Sequence, residues 1–304
     1  MSTLPKLVAV LGPTACGKSG LGVALARRFD GEVVSADSRQ VYRGLDLGTG
    51  KVTPEEMEGV PHHMLDVVEP DSVYSVADFQ AGAYAAIDDI LARGKLPFLV
   101  GGTGLYLRAV TEGFLLSAPP PDPALRRRLE TLTTPELRAL VEEKTGVTLT
   151  GGEENNRHRL VRSAEKALAG GWETAPGARP RYRCLLLGVT YPRQTVCRRI
   201  DQRLQARIDA GMIDEVAGLR SAGVSDQFLD RLGLEYRYIL RYLTGEIPDL
   251  EALKDELGRA IKRFAKRQMV WFKKDKDVLW LDMERDPLVQ AGAAVSAFLG
   301  REPL

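Results

Sequence analysis

Cysteine and histidine are both scarce, three of each among 304 residues. Cys16, Cys184 and Cys197 lie far apart and none falls in a C-x-x-C pair, which excludes a zinc ribbon and a disulfide framework. His62, His63 and His158 are not spaced with any cysteine pair. A metal site needs three or four convergent ligands, so residues 61–66 read as a structural turn. Long apolar runs are also missing: none approaches the roughly 18–20 residues that span a bilayer. The first residues lack the layout of a signal peptide, so a reduced, cytoplasmic protein without a membrane segment is expected. Charge of one sign is not in excess, because the formal net charge is only +1. Bulk charge therefore says nothing about nucleic acid, and only local clusters can.

What is present starts with Gly12-Pro13-Thr14-Ala15-Cys16-Gly17-Lys18-Ser19, the pattern G-x-x-x-x-G-K-[ST]. It follows an apolar run, residues 7–11, and precedes a helix-like stretch, residues 19–29. That placement between strand and helix is what gives the motif its meaning. The glycines let backbone N–H groups converge on an anion, and the helix N-terminus adds partial positive charge. Lys18 brings a mobile full charge, and the Ser19 hydroxyl is a candidate Mg²⁺ ligand. The chain is expected to bind a di- or triphosphate. Cys16 is either a small filler in this turn or a thiol activated by the helix terminus.

Strand signals at 7–12, 32–36 and 96–100 alternate with helical periodicity, as at 75–93, where residues 76, 79, 83, 87, 90 and 91 are apolar. Continuous apolar strands separated by helices predict an α/β fold with a parallel sheet covered on both faces. Residues 118–123, Ala-Pro-Pro-Pro-Asp-Pro, mark a stiff boundary. Short charged helices follow at 124–132, 135–145 and 156–169. Strand character returns at 184–189, then helices at 193–210 and 213–222, and a last strand at 278–281. The prediction is a P-loop NTPase-like core, 1–117 with 183–304, carrying an all-helical insert at 118–182.

Asp37 ends the second apolar strand. A carboxylate there points into the ligand crevice of an open parallel sheet. It reads equally as a turn residue capping a following helix. Gly101-Gly102-Thr103-Gly104 ends the third strand: either a close approach to ligand with a Thr103 hydroxyl on offer, or a helix-entry turn. From 254 to 276 the chain carries nine Lys/Arg against three acids. Rows 259/263/267 and 262/266 share one side of a helix, which either neutralises phosphates or is a solvated face. Trp271 and Phe272 read as core anchors. Arg199 and Arg203, four apart, clamp a phosphate or pair with Asp201 and Glu215. An insert and a basic helix suit a macromolecular acceptor.

Taken together, these segments resemble the tRNA dimethylallyltransferase (tRNA isopentenyltransferase) family. The matching pieces are GPTACGKS (12–19), SADSRQVYRGLDLGTGK (35–51), PHHMLDVVEP (61–70), LVGGTGLYL (99–107), RHRLVRSAE (157–165), RRIDQRLQARIDAGMIDEV (198–216) and KRFAKRQMVWFK (262–273). They keep the family order over nearly the whole chain. Two stretches depart: Asn155-Asn156 stands where the family often has Asn-Asp, and Gly233-Leu234-Glu235-Tyr236-Arg237 replaces a Gly-Tyr-Lys stretch. The zinc finger typical of eukaryotic members is absent from the sequence, so a bacterial or organellar form is expected.

The resemblance implies transfer of a dimethylallyl group from dimethylallyl diphosphate to the adenosine 3′-adjacent to the anticodon of tRNA. It implies that Gly12, Pro13, Thr14, Ala15, Cys16, Gly17, Lys18, Ser19 and Arg203 hold the diphosphate, with Ser19 on Mg²⁺. Asp37 is the implied general base, with Thr103 and Arg199 beside the reacting diphosphate. Contacts to the anticodon arm are implied for Asp37, Ser38, Arg39, Gln40, His158, Arg159, Arg162, Lys262, Arg263, Lys266, Arg267 and Gln268. A tRNA-sized substrate suits a monomer.

Overall fold

The structure is a computed structural model that describes residues 4–116, 122–150, 156–170 and 177–302. Its frame is a six-stranded sheet: β1 (Lys6–Leu11), β2 (Gly31–Ala36), β3 (His62–His63), β4 (Leu96–Gly101), β5 (Arg183–Thr190) and β6 (Leu279–Asp282). The strand order is β3-β2-β4-β1-β5-β6, and every pairing is parallel. β2 and β4 are buried along their whole length, as strands covered on both faces must be. Side chains alternate between faces. Val8 and Val10 enter one core with Leu25, Phe98 and Val295; Leu7, Ala9 and Leu11 enter another with Phe79, Ile87 and Phe272.

Helices α1 (Lys18–Arg28), α2 (Pro54–Met57), α3 (Val76–Ala92) and α4 (Gly104–Arg108) accompany the first strands, and a π-helical turn, Ala109–Gly113, follows α4. α3 opens on a capping box: Ser75 N donates to Asp78 Oδ2 at 2.8 Å and Asp78 N to Ser75 Oγ at 3.3 Å. It buries Phe79, Ala83, Ile87 and Ile90 at helical spacing. Gly94 follows its end with φ 74°, a left-handed turn that favours glycine.

Residues Phe114–Arg179 form a second compact unit with α5 (Pro123–Leu129), α6 (Thr134–Thr145) and α7 (Arg157–Leu168). Its own core is Leu129, Leu137, Val141, Leu149, Leu160, Val161 and Ala164. The sequence places this insert at 118–182, but its neck closes outside that start. Phe114 bridges Ala178, and Leu115 N donates to Gly177 O at 2.7 Å. Tyr182 instead joins the sheet unit, its hydroxyl donating to Asp88 Oδ1 at 2.8 Å.

The sheet unit resumes with β5 and then α8 (Arg193–Asp209), α9 (Met212–Ser221), α10 (Asp226–Leu232), α11 (Leu234–Leu243), α12 (Leu250–Phe272) and, after β6, α13 (Pro287–Leu299). Helices α8 to α12 share a third core around Leu204, Met212, Phe228, Tyr236 and Leu257. Among the described residues no helix is long and apolar enough to cross a membrane. Residues 61–66 are not simply a turn: His62 and His63 form the edge strand β3, and His63 Nε2 lies 2.8 Å from Glu32 Oε2.

Candidate active site at the strand ends

The loop between β1 and α1 wraps inward on itself. Gly12, Ala15 and Gly17 have φ of 149°, 61° and 79°. A Cβ on Gly12 would come 2.7 Å from Val189 O, so only glycine lets β5 pack there. Lys18 Nζ donates to Pro13 O at 2.7 Å, which curls the loop around its ammonium group. The residue as a whole is half-buried, but that ammonium is enclosed, and burial pulls its pKa down to about 8. Cys16 is fully buried and burial raises its pKa, so it is a filler and not an activated thiol.

Arg199 and Arg203 reach this loop from α8. Arg199 Nε donates to Ala15 O at 2.8 Å and its guanidinium lies 4.9 Å from the centre of the Tyr191 ring. Arg203 is pulled down to about 10 by burial. The alternative surface pairs do not form. Asp201 pairs with Lys262 at 2.7 Å, and Glu215 accepts the N–H groups of Asp46, Leu47 and Gly48.

Asp37 follows β2 directly. Its Oδ1 accepts the Arg39 N–H at 2.9 Å, which ties a turn. No helix starts there, so the capping reading fails, and Oδ2 has no protein partner among the described residues. Thr103 directly precedes α4, yet its side chain does not cap that helix. It turns to the Asp37 loop, where Oγ1 accepts the Ser38 N–H at 3.0 Å, while Thr103 N donates to Ala36 O at 3.2 Å. Gln268 of α12 meets both glycine-rich loops: Oε1 accepts the Thr14 N–H and Nε2 donates to Gly102 O, each at 2.9 Å.

These groups line one cavity of about 530 Å³. Lys18, Ser19, Asp37, Thr103, Arg199, Arg203 and Gln268 all border it, and Phe264 supplies an aromatic wall. The cavity opens where β1, β2 and β4 end, the crevice such sheets use for ligands. The exposed Ser19 hydroxyl and the Asp37 carboxylate are hard oxygen donors of the kind Mg²⁺ takes, with room for ligand oxygens and water.

Beneath the cavity lies a charge cluster that sequence reading missed. Glu235 is buried against Arg39 at 2.6 Å and Arg207 at 3.6 Å. Burial alone would raise the Glu235 carboxyl, but the two arginines outweigh it and hold it low. Arg39 is correspondingly held charged by Glu235 against the opposing effect of burial. Its guanidinium is paired with Glu235, and the residue also lines the cavity. Arg207 crosses Gly50 so closely that a Cβ there would lie 1.5 Å from its Nη2. The readable signal was the row Arg199, Arg203 and Arg207, each four residues from the last.

The other RNA-assigned residues divide. Gln40 is turned inward, with Nε2 donating to Gly50 O at 3.2 Å. On α12, Arg263, Lys266 and Arg267 are exposed, while Lys262 is engaged by Asp201. Trp271 is an anchor as read, packed on Gly104 and on Phe272 at 5.2 Å between ring centres. In the insert, Arg159 is exposed. Arg162 pairs with the buried Glu165 at 3.0 Å, a carboxylate that Arg126 also engages at 2.7 Å. His158 lies on α7, and its side chain is outside the described residues. Residue 155 lies outside them too.

Residues 5–69 match the family model for isopentenyl transferase, and residues 40–275 match that for IPP transferase. The chain belongs to the tRNA dimethylallyltransferase (IPP transferase) family. It is 44% identical to tRNA dimethylallyltransferase 2 of Syntrophotalea carbinolica, over 93% of this chain and 96% of that one. The Thermobifida fusca tRNA dimethylallyltransferase is 43% identical, with coverage of 97% and 94%. The crystal structure of the full-length tRNA isopentenylpyrophosphate transferase from Bacillus halodurans superposes with a TM-score of 0.75 at 37% identity, covering 97% of each chain. The core is therefore the P-loop NTPase-like fold of these transferases.

Proposed function

We propose that this protein transfers the dimethylallyl group of dimethylallyl diphosphate to the exocyclic amine of the adenosine 3′-adjacent to the anticodon in tRNA, releasing diphosphate. Family membership supports prenyl transfer to tRNA. The observation that carries the chemistry is the single cavity shared by Asp37, with one carboxylate oxygen unengaged, and the cations Lys18, Arg199 and Arg203.

An adenine amine is a weak nucleophile because its lone pair is delocalised into the ring. Asp37 takes its proton as the new N–C bond forms at the allylic carbon. The C–O bond to diphosphate breaks, and the electron pair leaves with the bridging oxygen. Lys18, the loop N–H groups and Arg203 face that developing charge. Mg²⁺, held by Ser19 with Asp37 nearby, would supply further positive charge to the leaving group when bound. The target base lies in a folded anticodon loop and has to be turned out of its stack to reach Asp37. The exposed cations of α12 neutralise RNA phosphates. The protein works as a cytoplasmic monomer in this reading.

The test is mass analysis of tRNA nucleosides after incubation with dimethylallyl diphosphate and Mg²⁺, with AMP as a parallel acceptor. A prenylated adenosine from tRNA and none from AMP is expected. Prenylation of AMP at a matching rate, or ATP turnover with no prenyl product, overturns it.

A further inference from the structure

β1 and β4 are hydrogen-bonded neighbours, in register through Leu11 and Gly101. Beyond those residues the ladder stops and the two glycine-rich loops diverge to their separate tasks. The strand ladder then no longer sets the gap across which donor and acceptor must meet. Gln268 fills that place. A glutamine side chain is itself an amide, with the donor and acceptor of a peptide group. Its Oε1 takes the Thr14 N–H and its Nε2 gives to Gly102 O, both at 2.9 Å, so it acts as one more rung of the sheet supplied from α12. The fit is close: a Cβ on Gly102 would come 2.8 Å from Nε2. Both ends of the amide are engaged inside the protein, which ties the side chain to the two loops at the edge of the cavity.

We infer that Gln268 is a positioning residue for the prenyl donor and not an RNA contact: it fixes the spacing between the phosphate loop and the Gly102–Thr103 loop. The inference rests on the reading of the cavity as a diphosphate site. Hydrogen-bond geometry explains the choice of residue. Glutamate cannot donate to Gly102 O, lysine cannot accept from Thr14, and methionine fills the space but does neither.

The test compares wild type with Gln268→Met and Gln268→Ala in the full chain. Dimethylallyl diphosphate affinity is measured by calorimetry, tRNA affinity by filter binding, and turnover at saturating tRNA. Circular dichroism and thermal melting establish that each variant is folded. Donor Kd and donor KM are expected to rise about tenfold or more, the scale of one or two lost hydrogen bonds. The tRNA Kd should stay within about twofold, and turnover should recover largely at high donor concentration. A tRNA Kd that weakens about tenfold while donor Kd holds makes Gln268 an RNA contact and overturns the inference. Donor and tRNA affinities both unchanged also overturn it. Should wild type itself fail to prenylate tRNA, the proposed function falls, while the donor-affinity comparison still decides the role of Gln268. If the alanine variant does not fold, the space-filling methionine variant carries the comparison.

Discussion

Thr103 Oγ1 accepts the Ser38 N–H at 3.0 Å, so the loop after β4 holds the loop that carries Asp37. The threonine braces the Asp37 loop and also lines the cavity. Thr103→Val keeps the shape and removes the acceptor. Its turnover should fall about tenfold to a hundredfold, since small misplacements of a reacting group cost that much. Thr103→Ser should restore most of it. Rapid-quench measurement of the chemical step in the three proteins decides.

Asp37→Asn retains an oxygen for the Arg39 N–H and loses the base. Turnover should drop by about 10²–10⁴, the usual worth of a positioned general base. Binding of tRNA and of donor should survive. Near wild-type turnover in the Asp37→Asn variant would remove Asp37 from the role of base.

Lys18 carries a testable pH signature. Burial places its pKa at about 8, so its ammonium is charged below that value and neutral above it. Donor affinity should therefore weaken as pH rises from 7 to 9. Lys18→Arg, which stays charged throughout this range, should flatten that limb even if it binds less tightly at pH 7. Calorimetric titration at several pH values gives the answer.

Glu32 is a stability determinant far from the chemistry. Its carboxyl is held at about 2, against an ordinary 4.5, chiefly by its hydrogen bonds to Arg93, with His63 and Lys95 adding to them. A depressed carboxyl stabilises the fold fully above its unfolded pKa, and that contribution is lost as pH falls from about 4.5 towards 2. Glu32→Gln should destabilise the fold at pH 7, although Arg93 and Lys95 are partly exposed and Arg93 keeps Asp89, so solvent screens part of the loss. The difference from wild type should shrink below pH 4. Urea melts at pH 7 and pH 3.5 measure both claims.

Glu235→Gln should be more damaging than its distance from the cavity suggests, at about 3–5 kcal/mol, since two buried arginines lose their shared partner. Adding Arg207→Met to that variant should recover part of the loss. Thermal melts of the single and double variants measure the coupling.

The sheet was legible because its strands are continuous apolar runs set against glycine turns; β1, β2, β4 and β5 lie within a residue or so of where periodicity put them. The edge strand β3 was not, since two histidines carry no strand period; they pair with Val33 and Val34 of β2, and His63 also meets Glu32. Helices α10, α11 and α13 were also left unread. Within the cavity, Lys18 and Asp37 were readable because their position relative to strand ends is local. The inward turn of Arg39 and Arg162 was not, because each is set by a carboxylate far away or on another turn: Glu235 and Glu165. Charge in a sequence says that a partner exists and does not say which one.

The braced amide of Gln268 and the outward cations belong to one helix, α12, with no hinge between them. A helix advances about 1.5 Å and turns about 100° per residue. The distance from the interloop rung to Arg263 is thus graduated like marks on a ruler. A one-residue deletion between Arg263 and Gln268 would swing Arg263 a quarter-turn or more around the axis relative to that rung, leaving composition almost untouched while spoiling alignment.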